Sequence, residues 1–93
     1  MPRASKKKQE EAQQALNNVE YILDQIANDT SVPRNIRRTA DKAKQALHGE
    51  ETPAVRASNA ISLLDDLSQD PNCPVHTRTR IYQALSFLEQ VTD

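Results

Sequence analysis

This chain of 93 residues has one glycine, one cysteine, no tryptophan and three aromatic residues, Tyr21, Tyr82 and Phe87. Each scarcity excludes something. With Gly49 as its one glycine, the chain lacks tight Asn-Gly hairpins and has no glycine-rich loop to cradle a phosphate. Cys73 alone can form neither an intramolecular disulfide nor a cysteine metal cluster. A reducing, cytoplasmic setting is the expectation. With so few aromatics, the core must come from Leu, Ile, Val and Ala, which suits close helix packing. No apolar run approaches the roughly 20 residues that span a bilayer. The N-terminus lacks the apolar stretch of a signal peptide, so no membrane association is expected.

What is abundant is helix-forming: Ala, Gln, Glu, Lys, Arg and Leu. The length suits a single domain, 1–93, with a modest core. Net charge is -1, unevenly spread. Residues 1–48 carry nine Lys/Arg against six Asp/Glu, a net of +3. Residues 49–93 carry three Arg against seven Asp/Glu, a net of -4. Such asymmetry fits either an anionic partner for the first half or complementarity between the halves.

The chain repeats itself at a spacing of 41 positions. Leu23-Asp24 matches Leu64-Asp65, Asp29 matches Asp70, Pro33 matches Pro74, and Arg37 matches Arg78. Asn18/Asn59 and Ala43/Ala84 share the register, and Ile22/Leu63, Ile26/Leu67 and Leu47/Leu88 keep apolar character. A repeat of this length is one supersecondary unit, here a helical hairpin.

The apolar period predicts four helices. The first runs from about Lys6 to Asn28 behind a frayed, flexible basic tail at 1–5. Its Ala12, Ala15, Leu16, Val19, Ile22, Leu23 and Ile26 fall within an arc of about 120°. Pro33 suits the first turn of a second helix that reaches about His48, where Gly49 is the stop. Ile36, Ala40, Ala43 and Leu47 line its inner face. Thr52-Pro53 opens a third helix as N-cap and N1, with Ala57, Ala60, Ile61, Leu63, Leu64 and Leu67 inward. Pro74 opens a fourth, with Ile81, Ala84, Leu85, Leu88 and Val91 inward. Short connectors make neighbours antiparallel. An all-α antiparallel four-helix bundle built from two repeated hairpins follows, and the alternative is a two-unit HEAT-like stack.

The runs from Asp29 to Arg38 and from Pro53 to Pro71 closely resemble those of a family of small uncharacterised archaeal helical-bundle proteins. The resemblance covers about 12–91. It implies a bromodomain-like, up-and-down four-helix bundle and no particular activity. Sharing that fold would not imply an acetyl-lysine pocket.

Duplication favours a structural clip for Asp29, Arg37, Asp70 and Arg78, since residues repeated at equivalent places serve folding before they serve one active site. Asp65-Asp66 does not predict a metal site, because consecutive helical residues diverge by about 100°. His48 and His76 lack a metal-spaced partner. Cys73, next to a helix start, is expected to be an exposed, slightly activated thiol. No nucleophile–base pair is apparent, so no enzyme, cofactor or metal is expected. The basic residues carry the functional expectation. Arg3, Lys6, Lys7 and Lys8 cluster at the N-terminus; Arg34, Arg38 and Lys42 recur every four residues as a ridge on helix two, flanked by Arg37 and Lys44. The leading reading is a non-catalytic module that docks to a larger macromolecule, through an unidentified protein partner. The alternative is an RNA- or ribosome-associated protein that uses the tail and helix two.

Overall fold

The computed structural model describes the backbone of residues 2–92 and the side chains of residues 7–92. Four helices follow in order: α1 Pro2–Ala27, α2 Arg34–Ala46, α3 Pro53–Ser68 and α4 Val75–Glu89. Among the described residues there is no strand. Helix α1 packs on α2 and α4, helix α3 packs on the same two, and α1 touches α3 slightly across the diagonal. The α1–α4 contact closes the ring. A two-unit stack would hold its first and last helices apart, so the HEAT-like alternative is excluded. The bundle measures 46 × 22 × 20 Å. Among the described residues no helix is long and apolar enough to cross a membrane.

The apolar stripes meet along the axis. Leu23, Ile26, Ile36, Leu64, Ile81 and Leu88 are among the largest fully buried side chains. Ile61 and Leu63, expected inward, sit at the margin of the core and are only partly covered. The connectors contribute more than the period indicates. Val32 and Cys73 are both buried, and they are equivalent in the repeat. Each precedes a proline, which biases it to extended backbone and turns its side chain under the bundle end. Cys73 is therefore not an exposed thiol. Burial pushes its pKa up, outweighing the favourable field of Arg78.

Helix boundaries shift for local reasons. The α1 helix starts at Pro2 rather than near Lys6. Pro33 and Pro74 are N-caps, not first-turn residues: each holds an extended ψ, near 147° and 151°. The Pro33 carbonyl accepts from Ile36 and Arg37, and the Pro74 carbonyl from Arg78. Pro53 is inside its helix, behind a Thr52 hydroxyl that accepts from the Val55 N–H. Helix α2 ends at Ala46 with Leu47 as right-handed C-cap. No glycine has positive φ, so Gly49 does not end α2 through the left-handed geometry common at such stops.

Two buried positions are polar, Ser68 and Thr77, and only the Ser68 hydroxyl has a partner, the Asp65 carbonyl. Thr77, equivalent to Ile36, is fully buried, and its hydroxyl has no hydrogen-bond partner. Thr77→Val removes that hydroxyl at nearly constant volume. A gain on the order of 1 kcal/mol is expected, because the native group is desolvated without compensation. The unfolding midpoint should rise by about 4–8 °C per kcal/mol in a domain of this size. A lower midpoint by calorimetry would show that the hydroxyl has a partner in solution.

Candidate anion-binding groove

The end of the bundle that gathers both Asp-to-Pro connectors is built twice. Asp29 Oδ1 accepts from the Ser31 N–H at 3.0 Å and from Ser31 Oγ at 2.6 Å. Asp70 Oδ1 accepts from the Asn72 N–H at 2.8 Å. The Asp29 carbonyl takes the Val32 N–H and the Asp70 carbonyl takes the Cys73 N–H, each at 3.0 Å. Each aspartate folds its own connector into a side-chain-closed turn.

Each carboxylate also reaches the opposite hairpin. Asp29 Oδ2 lies 3.6 Å from His76 Nε2 and 3.8 Å from Arg80 Nη1. Asn35 Nδ2 donates to Asp70 Oδ2 at 3.3 Å. Asn35 and His76 are repeat equivalents, so the halves are stitched reciprocally. The bonds from Ser31, then the neighbouring His76, hold the Asp29 carboxyl below its ordinary range. Its contribution is in place above the ordinary carboxylate range and is lost as pH falls through the lowered folded-state value. Asp29→Asn should therefore weaken the fall of the unfolding midpoint on acidification, measured between pH 5 and pH 2 at constant salt. An unchanged acid limb would assign that fall to other carboxylates.

The two arginines of the repeat differ. Arg78 Nε donates to the Ser68 carbonyl at 3.0 Å, and its Nη2 to the Asp70 and Cys73 carbonyls at 3.3 and 3.5 Å. It ties the end of α3 to its connector, through carbonyls rather than a carboxylate. Arg37 does not do this. No side-chain hydrogen bond joins it to any described residue, and its Nε is buried without a partner. The clip expected of Arg37 is absent. The preceding helices end differently: Asn28 N–H reaches back four residues to Asp24, whereas Gln69 N–H reaches back three to Asp66. Ser68 Oγ, which donates to the Asp65 carbonyl, has no counterpart at Ala27.

Arg37 instead lines an open groove of about 510 Å³ with Ala27, Asn28, Arg34, Arg38, Asp41, Lys42 and Gln45. Helix spacing explains the convergence. Residues three and four apart are surface neighbours, so Arg34, Arg37, Arg38 and Lys42 share one side of α2. Among the described residues none of the four is in an ion pair or donates a side-chain hydrogen bond. The carboxylate in the groove, Asp41, accepts from Gln45 at 2.9 Å. Lys44 is occupied elsewhere, 2.6 Å from Asp24. That contact, above all its hydrogen bond, raises the Lys44 pKa.

Lys7 and Lys8, the described members of the N-terminal cluster, do not line this groove. Arg3 and Lys6 side chains lie outside the described residues. Lys7 is exposed, and Lys8 borders a cleft with Gln90 and Thr92 at the other end of the bundle. Lys8 and Ala27 are 19 residues apart on one helix, about 28 Å.

Other contacts have no signal in the sequence. Arg56 Nη1 donates to the Leu47 carbonyl at 2.9 Å and closes the C-terminus of α2. His48 Nε2 meets Glu20 Oε1 at 2.9 Å, and Arg80 approaches Asp29 as above. They join residues nine or more positions apart, beyond the reach of a local pattern.

The repeat register adds a contrast. Arg34, Arg38 and Lys42 correspond to Val75, Thr79 and Gln83. Val75 is 77% exposed and Tyr82, the counterpart of Asp41, 55% exposed. Thr77 at the place of Ile36 aside, the inward residues of α2 and α4 keep apolar character, but the outer ridge is cationic in the first hairpin and neutral in the second.

Comparison with known proteins places the chain. Residues 3–91 match the model of the uncharacterised protein family UPF0147. UPF0147 protein MJ1419 of Methanocaldococcus jannaschii is 53% identical over 89 residues, 95% of this chain and 92% of that protein. A UPF0147 protein of Desulfurococcus amylolyticus is 51% identical over 79 residues, 84% of this chain and 87% of its own. The crystal structure of the protein of unknown function MMP1188 superposes with TM-score 0.82 at 50% identity, over 85% of this chain and 91% of that one. The crystal structure of a UPF0147 member from Thermoplasma acidophilum superposes with TM-score 0.83 at 36% identity, over 89% and 99%. With the family model spanning nearly its whole length and relatives above half identity, the chain belongs to the uncharacterised protein family UPF0147.

Proposed function

We propose that this protein is a non-catalytic docking module, and that the α1–α2 groove is the face that meets an anionic macromolecule, an RNA backbone. One observation carries the reading: four cations without a partner among the described residues share one groove in the first hairpin, and the second hairpin has neutral residues at the matching ridge positions. Arg34 to Lys42 spans about 12 Å of helix. Among the described residues no aromatic side chain lines the groove, which disfavours base stacking. Phosphate contacts without base contacts position a nucleic acid without reading its sequence. Binding should be weak, tolerant of sequence and steeply weakened by salt.

The test uses a short RNA duplex titrated at low and moderate salt. Arg34→Glu with Arg38→Glu should weaken binding at least about tenfold, because two phosphate contacts become repulsive. Deletion of residues 1–8 should cost less, since Lys7 and Lys8 are remote from the groove. Equal affinity of the charge-reversed and native proteins, or affinity that ignores salt, would leave the ridge as a solvated face. A protein partner is the second reading, favoured by the exposed Val75 and Tyr82 on α4. Val75→Ser with Tyr82→Ser would then abolish the contact, and the charge reversal would not.

A further inference from the structure

We infer that Arg37 is the anchoring residue of a phosphate-binding site in the α1–α2 groove, and that its duplicate Arg78 has the structural role instead. The inference rests on the groove reading and gives it a residue and a ligand chemistry, a phosphate oxyanion.

Two copies of one residue stand in the same fold position, at the first turn of α2 and of α4, each beside an Asp-to-Pro connector. Their surroundings repeat closely. Both connectors make the same backbone turn, and both aspartates close it with a carboxylate oxygen. A shared folding role would give both arginines the same bonds. Arg78 makes three to connector and helix-end carbonyls. Arg37 makes none, although the carbonyls at equivalent places belong to residues that are present, Ala27, Asp29 and Val32.

An arginine held half-buried with its Nε covered and unbonded is costly unless its other N–H groups find an acceptor. The Nη groups carry the remaining donors. They are not among the buried unpartnered atoms, and the side chain lines the groove. A guanidinium presents its paired N–H donors in a fixed fork that matches two oxygens of a phosphate. Arg34 and Arg38 flank it on the same groove, and Lys42 adds a point charge further along. Asp41 is the one acidic group lining the groove, and Gln45 already donates to it.

The neighbouring contrast supports the same assignment. Where Arg78 is consumed by carbonyls, the outer ridge beside it is Val75, Thr79 and Gln83. Where Arg37 is not, the ridge is Arg34, Arg38 and Lys42. The cations and the unspent guanidinium occur together in one hairpin and are missing together from the other.

Arg37→Gln and Arg78→Gln are compared in the full chain, with thermal unfolding and duplex RNA binding measured for each. Arg78→Gln should lower the unfolding midpoint and leave RNA affinity at low temperature unchanged. Arg37→Gln should leave the midpoint nearly unchanged, weaken RNA binding severalfold, and reduce the slope of log affinity against log salt by about one, the loss of a single phosphate contact. If the native protein binds RNA and Arg37→Gln binds it equally with the same slope, the assignment of Arg37 is overturned while the groove reading stands. If the native protein binds no RNA, the groove reading falls. The site is then judged by titration with inorganic phosphate, following the Arg37 Nε–Hε signal by NMR. A saturable shift of that signal, absent for Arg78, supports the site; no shift overturns it.

Discussion

Leu64→Ala should destabilise the bundle by about 2–5 kcal/mol, the range for large-to-small changes at a closed core position. Leu64 is fully buried. It is part of the buried core cluster and is the repeat equivalent of Leu23, which is also fully buried. Truncation leaves a cavity among branched side chains that are themselves held by helix packing, so little collapse can refill it. A domain of this kind has about 5–15 kcal/mol in total, and the loss is a large share of it. The midpoint should fall by roughly 10 °C or more at about 4–8 °C per kcal/mol. Chemical denaturation should show a lower midpoint at unchanged slope. A loss below about 1 kcal/mol, the level of an ordinary surface change, would mean that the stripe of α3 is packed more loosely than its burial indicates.

Arg78→Gln should cost about 1.5–3 kcal/mol, the range for hydrogen bonds that involve a charged group. The side chain is half-buried and bonds three backbone carbonyls that lie at the end of α3 and in its connector. Glutamine is too short to reach all three, so acceptors near the bundle end lose their donor. Loss of the clip should also loosen the 69–74 segment, which seats Cys73 in the core. Faster hydrogen exchange at the Cys73 amide, which donates to the Asp70 carbonyl at 3.0 Å, would report that opening directly. Unchanged stability in the variant would mean that water replaces the guanidinium at no cost.

These two residues also separate what was legible from what was not. Leu64 was readable as core because a helix has a fixed angular period, and burial of an apolar stripe follows from that period alone. Arg78 was readable as structural because it is duplicated, but its partners were not. Its partners are carbonyls, while the carboxylates close their own turns and cross to the other hairpin. Cys73, expected as an exposed thiol, is buried, and so is Val32. They lie in segments without a period, and only the path of the connector turns them inward. Thr77 carries no apolar signal, yet its register places it where Ile36 stands in the first hairpin, and it is buried.

The site shows the same division. That α2 carries a cationic ridge was visible from the spacing of Arg34, Arg38 and Lys42. That the ridge borders a groove, that Arg37 belongs to it, and that Lys7 and Lys8 are far from it were not visible, since each depends on how α1 lies against α2.

The sequence by itself determined four helices, their breaks, most of the helical residues that meet in the core and the doubling of the hairpin. These follow from local propensity, a helical period and proline geometry, all short-range properties of a chain. Tertiary structure decided the ring closure of α1 on α4, the reciprocal stitching of the connectors, and the divergence of Arg37 from Arg78. Those depend on which polar groups are left without water or a partner once the helices have packed, and no local pattern records that count.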